Sequence, residues 1–221
     1  MMNRKKFAYF FILLTMFFAG RAVSAPAVDA DTAAKNILFL GDSITAGLGV
    51  GKDHAYPAII QQKIDSLGWN YNVINGGLSG ETSAGGLRRI NWMLKQTVDV
   101  MILELGGNDG LRGIDPSSTR KNLQGIIDSA RAKNPDIKIV LAGMQIPPNL
   151  GQDYTKEFKN IYPELAKKND LPFIPFLLEG VGGKPELNQG DGIHPNEKGH
   201  KIVAQNVWKV LKPLLLKMKN R

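Results

Sequence analysis

The 221-residue chain contains no cysteine. That removes disulfides, thiolate metal sites, cysteine nucleophiles and an acylated N-terminal cysteine together. Histidine is scarce, with only His54, His194 and His200, which argues against a three-histidine metal centre. No internal repeat or low-complexity linker divides the chain. No basic run is interleaved with aromatics, so nucleic acid is not an expected partner. Long apolar runs are also missing, apart from Phe7 to Gly20.

That run follows Arg4, Lys5 and Lys6 and precedes Val23-Ser24-Ala25, the pattern of a cleavable secretory leader. A spanning helix needs about 20 apolar residues, more than this run offers. Residues 1–25 are therefore expected to be a signal peptide, with the cut falling between 25 and 30, and residues 26–221 a single domain. The formal charge of +8 drops to +4 once the four basic residues of the leader are set aside. Such a modest excess does not suggest nucleic-acid binding, and the leader implies export to the periplasm or beyond, with no stable membrane insertion after cleavage. Lys209, Lys212, Lys217, Lys219 and Arg221 are expected to form a solvated helix end.

Along the rest of the chain, strand-length apolar runs alternate with stretches of helical period. Residues 36–40, 71–74, 98–105, 137–142 and 171–174 read as strands. The first, third and fourth are nearly continuous in apolar residues, as strands buried on both faces are. Helices are predicted over 56–67, 83–96, 117–133 and 154–169, with a last one starting at Pro195. In that last helix Val203, Val207, Val210, Leu211 and Leu214 form a core-facing stripe. The alternation predicts a three-layer α/β/α domain on a central five-stranded parallel sheet.

Ligands of such sheets bind beyond the carboxyl ends of the strands. Ser43 follows the first predicted strand, Gly80 the second and Asn108 the third. Near the end of the chain, Asp191 and His194 are separated by two residues in a Gly- and Pro-rich loop. A hydroxyl, an imidazole and a carboxylate to orient it are what nucleophilic acyl transfer requires. Each has a plainer alternative: Ser43 as a helix cap, Gly80 as a loop glycine, Asn108 as a turn residue and Asp191 as a turn former. His200 is placed on the surface of the last helix, and His54 has no carboxylate at fixed spacing. Leu111, Ile146, Pro147, Pro148 and Leu150 fall in loops on the same rim, where they would either line an apolar groove or cover the core edge.

Four blocks in order carry a resemblance: Gly41-Asp42-Ser43-Ile44, Ser79-Gly80-Glu81-Thr82, Gly106-Gly107-Asn108-Asp109 and Asp191-Gly192-Ile193-His194-Pro195. Together they resemble the SGNH hydrolases, or GDSL-type esterases, across essentially the whole chain after the leader. The longer runs 104–113 and 161–166 resemble the periplasmic thioesterase I / lysophospholipase L / arylesterase group. One departure is Ile44, where the family name has leucine. Thr45 also replaces the second glycine of the G-x-S-x-G elbow found in other α/β hydrolases.

The resemblance implies a flavodoxin-like fold and a monomer acting on small-molecule or lipid acyl esters, without metal or cofactor. It makes Ser43 the nucleophile, His194 the base and Asp191 its orienting partner. The backbone amides of Ser43 and Gly80 and the Asn108 side chain then form the oxyanion hole, with Asp42 buttressing the turn. Leu111, Ile146, Pro147 and Leu150 become substrate-binding candidates. Two alternatives remain: a carbohydrate deacetylase of the same family, and a non-catalytic binding module on the same fold.

Overall fold

A computed structural model describes residues 33–219. The expected leader lies outside them. Five strands form one parallel sheet: β1 (Lys35–Gly41), β2 (Tyr71–Gly77), β3 (Val100–Glu104), β4 (Lys138–Ala142) and β5 (Phe173–Ile174). Their order is β2-β1-β3-β4-β5. Register runs Leu38 beside Ile74 on one side and beside Met101 on the other. All five predicted strands are present, each within a few residues of its expected ends. β3 is buried along its whole length, and five of the seven residues of β1 are buried.

Helices α2 (Tyr56–Ser66) and α7 (Glu197–Lys219) pack together on one face. Helices α3 (Ser83–Met93), α5 (Pro116–Lys133) and α6 (Gln152–Asn169) cover the other. Chain handedness explains the division. The connection from β1 to β2 runs across the sheet in the opposite direction to the later connections. Right-handed crossovers therefore put its helix on the opposite face. Strand order reverses at β1, so a crevice opens between the carboxyl ends of β1 and β3.

Local chemistry sets the helix ends. Thr82 accepts the Gly85 amide to cap α3, and Asp115 accepts the Ser117 amide at the start of α5 with Pro116 in the first turn. Two short helices escape periodicity because each is little more than one turn: α1 (Ser43–Ala46) and α4 (Gly107–Leu111). Both follow directly on strands at the crevice. The last helix starts two residues later than predicted. Pro195 instead bridges Asn188, and Asn196 caps α7 by accepting the Lys198 and Gly199 amides.

The predicted stripe of α7 holds: Val203, Val207 and Leu211 are buried, with Val210 and Leu214 packed against the core. His200 belongs to that stripe as well, which corrects its expected surface position. It is 1% exposed, stacks on Tyr56 and accepts the Tyr56 amide at Nδ1 over 3.2 Å. His54 is exposed, and its Nδ1 lies 3.8 Å from Glu197, a carboxylate far away in sequence. Among the described residues no helix is long and apolar enough to cross a membrane.

Candidate active site

Asp42, not Ser43, is the N-cap of α1. Its Oδ1 accepts the Ile44 amide at 3.0 Å. The cap reading of Ser43 is thereby removed, and the serine is left as the first helical residue with its hydroxyl uncommitted to the backbone. Its Oγ lies 2.8 Å from His194 Nε2. His194 Nδ1 is 2.6 Å from Asp191 Oδ2, and Asp191 Oδ1 accepts the His194 and Ile193 amides at 3.0 Å each. A carboxylate can only accept, so Nδ1 carries the proton and Nε2 is free to accept the serine proton. The His194 hydrogen bond, reinforced by the two amides, lowers Asp191 to about 2. It is a carboxylate throughout the neutral range.

The histidine loop is tied down at both ends. Gln189 donates from its backbone to the His194 carbonyl at 2.7 Å, and from its side chain to Leu48 O at 2.6 Å and Pro195 O at 3.0 Å. Gly192 supplies the positive φ (75°) between Asp191 and Ile193. The tight three-residue spacing of the acid and the imidazole therefore works through a turn closed on itself and pinned to the loop after α1.

Asn108 lies on α4, which Asp109 holds in place. The Asp109 carboxylate accepts the Ser83 amide at 2.8 Å and the Thr119 hydroxyl at 3.2 Å, joining α3, α4 and α5. Asn108 Nδ2 donates to Glu81 O at 3.0 Å and to Asp42 Oδ2 at 3.2 Å. Both amide hydrogens are thus engaged, and a new acceptor must displace one of them; the longer bond, to Asp42, is the weaker. Gly80 has φ +78°, and a Cβ there would meet only Arg112 Nη2 at 3.7 Å. Its carbonyl accepts from Arg112 at 3.0 Å. Gly80 lies outside the cavity lining but precedes the residue whose carbonyl holds Asn108.

Ser43, Asn108 and His194 line a cavity of about 320 Å³. Leu111, Ile146 and Pro147 are in its lining, together with Met144, Phe176, Leu178 and Ile193. Leu150 is not among them. It sits on a 3-10 turn, Pro148–Leu150, and is 43% exposed. Met144 and Phe176 follow the carboxyl ends of β4 and β5, a position that strand reading alone could have flagged.

Glu81 and Glu104, like Asp109, are buried acids to which the sequence alone assigns no role. Glu81 pairs with Arg89, which also donates to the carbonyls of Gly41 and Gly76 and so braces the ends of β1 and β2. Glu104 closes β3 beneath the turn that carries Ser43; one acid ending an otherwise apolar strand was the available signal. Burial raises Asp42 to about 6, against the pull of the Ile44 amide and of His194. No group of three or more His, Asp or Glu suited to a metal occurs among the described residues.

Comparison with known proteins places this geometry in context. The model of the GDSL-like Lipase/Acylhydrolase family matches residues 39–202. Over 184 residues the chain is 41% identical to the Esterase TesA of Pseudomonas aeruginosa, covering 83% of this chain and 90% of that one. It is equally similar, 41% over 184 residues, to the Thioesterase 1/protease 1/lysophospholipase L1 of Escherichia coli K12, covering 83% and 86%. A crystal structure of TesA superposes with a TM-score of 0.78 at 40% identity, covering 81% of this chain and 99% of that one.

Proposed function

The chain belongs to the GDSL-like lipase/acylhydrolase family, and on that premise we propose that Ser43 is the nucleophile of this serine esterase and thioesterase. One observation carries the reading: Ser43 Oγ, His194 and Asp191 are joined by consecutive hydrogen bonds, and Ser43 and His194 line a cavity with apolar walls.

Ser43 Oγ attacks the acyl carbonyl while its proton passes to His194 Nε2, and the carbonyl electron pair becomes an oxyanion. Amides of Ser43 and Gly80 and the Asn108 side chain receive that charge, Asn108 exchanging its bond to Asp42 for one to the oxyanion. Collapse breaks the ester or thioester bond, and the leaving alcohol or thiol takes the proton from His194. Water gives a proton to the same imidazole as its oxygen bonds to the acyl carbonyl; collapse breaks the bond to Ser43 Oγ, which takes that proton back from His194, and the acid leaves. Asp191 stays ionised and holds the ring. Leu111, Met144, Ile146, Pro147, Phe176 and Leu178 suit a fatty-acyl or aryl group, so aryl esters, fatty-acyl esters and thioesters and lysophospholipids are the proposed substrates.

Export through the leader, location in the periplasm or outside the cell, and a monomeric state belong to the same proposal. N-terminal sequencing of the secreted protein and its size in solution test them. For the chemistry, a fluorophosphonate should label Ser43 covalently, and chelators should leave activity intact. A panel of phenyl acetate, p-nitrophenyl esters of increasing chain length, acyl-CoA and lysophospholipid reads the substrate. Activity that collapses beyond acetyl would replace the lipid-acyl reading with deacetylation.

A further inference from the structure

Glu104 takes no part in the steps above, yet it is 0% exposed and directly beneath them. Its Oε2 accepts the Asp42 amide at 3.2 Å and the Thr45 hydroxyl at 2.7 Å. Thr45 Oγ1 is 2.7 Å from the buried Tyr56 hydroxyl, so Tyr56 donates to Thr45 and Thr45 to Glu104. Oε1 has no hydrogen-bond partner. The two groups held by one oxygen belong to residues on either side of Ser43.

We propose that Glu104 is a positioning residue for the reaction, clamping Asp42 and Thr45 so that the Ser43 amide and hydroxyl keep their direction toward the acyl carbonyl. The inference rests on Ser43 being the nucleophile. A clamp is needed because α1 is only four residues long and ends at Gly47 in the left-handed region. A single turn has almost no stability of its own. The space for the carboxyl comes from Gly41, where a Cβ would lie 2.0 Å from Thr45 Oγ1 and 2.4 Å from Glu104 Oε2.

Glu104 performs this role as an uncharged acid. It forms no ion pair among the described residues. Burial first, and the neighbouring Asp42 second, push it well above the ordinary carboxylate range. A carboxylate under the nucleophile turn would oppose the negative charge that grows on the oxyanion. The neutral acid accepts the same two hydrogen bonds without that opposition. Glutamine, whose carbonyl can stand in for Oε2, should therefore replace it and leucine should not.

The test compares full-length wild type, E104Q and E104L on a p-nitrophenyl ester, with circular dichroism for folding and the rate of fluorophosphonate labelling. E104Q should keep kcat within about threefold, whereas E104L should lose about 10² in kcat at nearly unchanged KM and label correspondingly slowly. A folded E104L with kcat within about threefold of wild type overturns the proposal, as does an E104Q as impaired as E104L. Should E104L not fold, T45V decides. A kcat loss of more than about threefold at unchanged KM supports the clamp, and a smaller loss overturns it. If the wild type is not labelled at Ser43, the nucleophile assignment itself has failed and the clamp falls with it.

Discussion

His200 makes the fold sensitive to acid in a way that can be isolated. The imidazole is buried against Tyr56 and accepts the Tyr56 amide, so protonating Nδ1 would break that bond and bury a charge. Desolvation, with a smaller contribution from His194, lowers its pKa from 6.5 to about 4. Between those values the unfolded chain binds a proton that the folded chain refuses. Stability is therefore lost as pH falls from 6.5 to about 4, and the difference is worth about 3 kcal/mol. Asp42 acts in the opposite sense. With its pKa raised from 3.8 to about 6, the folded chain binds that proton first, so acidification over this window stabilises. Glu104, raised by burial, acts in the same sense as Asp42, so the wild-type curve sums opposing contributions. Urea unfolding of wild type and H200N from about pH 7.5 to about pH 4 separates them, since asparagine can still accept the Tyr56 amide but does not titrate. The wild type should lose about 3 kcal/mol relative to H200N over that range. Parallel curves, agreeing within about 0.5 kcal/mol at every pH, would refute a neutral buried His200.

N108A should lower kcat by about 10²–10³ if its amide stabilises the oxyanion; a loss under about threefold would make Asn108 only a tie between Asp42 and Glu81. In D191N the amide favours the wrong tautomer of His194, and kcat should fall by about 10⁴ with KM little changed; near-normal turnover would remove Asp191 from the mechanism. G41A forces a Cβ into the Thr45–Glu104 hydrogen bond and should destabilise by about 3 kcal/mol or more in denaturant titration, with under about 1 kcal/mol contradicting the packing described. Truncating an apolar wall by F176A should reduce kcat/KM for a long-chain p-nitrophenyl ester by about tenfold more than for the acetate. An equal effect on both esters would take Phe176 out of acyl recognition.

Legibility in the sequence followed the range of the interaction. Strands buried on both faces announce themselves as apolar runs, and β1, β3 and β4 were visible in that way. So were the long helices, whose apolar residues recur every three or four positions. Gly192 and the close pair Asp191 and His194 are local, so their loop could be read as a unit. The turns α1 and α4 are too short to have a period, although they carry Ser43 and Asn108. The Glu197 partner of His54 and the Gln189 tether to Leu48 depend on chain segments brought together only by folding.

His200 is the instructive exception, because its signal was present. Counting back from Val203, Ala204, Val207 and Leu211, position 200 continues the same face at helical spacing, and only its neighbours Lys198 and Lys201 suggested solvent. A polar residue on a buried stripe must find a partner, since an unsatisfied buried acceptor costs about 1–3 kcal/mol. The same reasoning applies to Glu104 at the end of an apolar strand. Both residues lead to Tyr56: His200 accepts its amide, and Glu104 is reached from its hydroxyl through Thr45. The polar interruptions of two unrelated apolar patterns thus meet at one buried tyrosine below the turn that carries Ser43. At these two positions a polar residue that breaks a core pattern has partners that lead from the core toward Ser43.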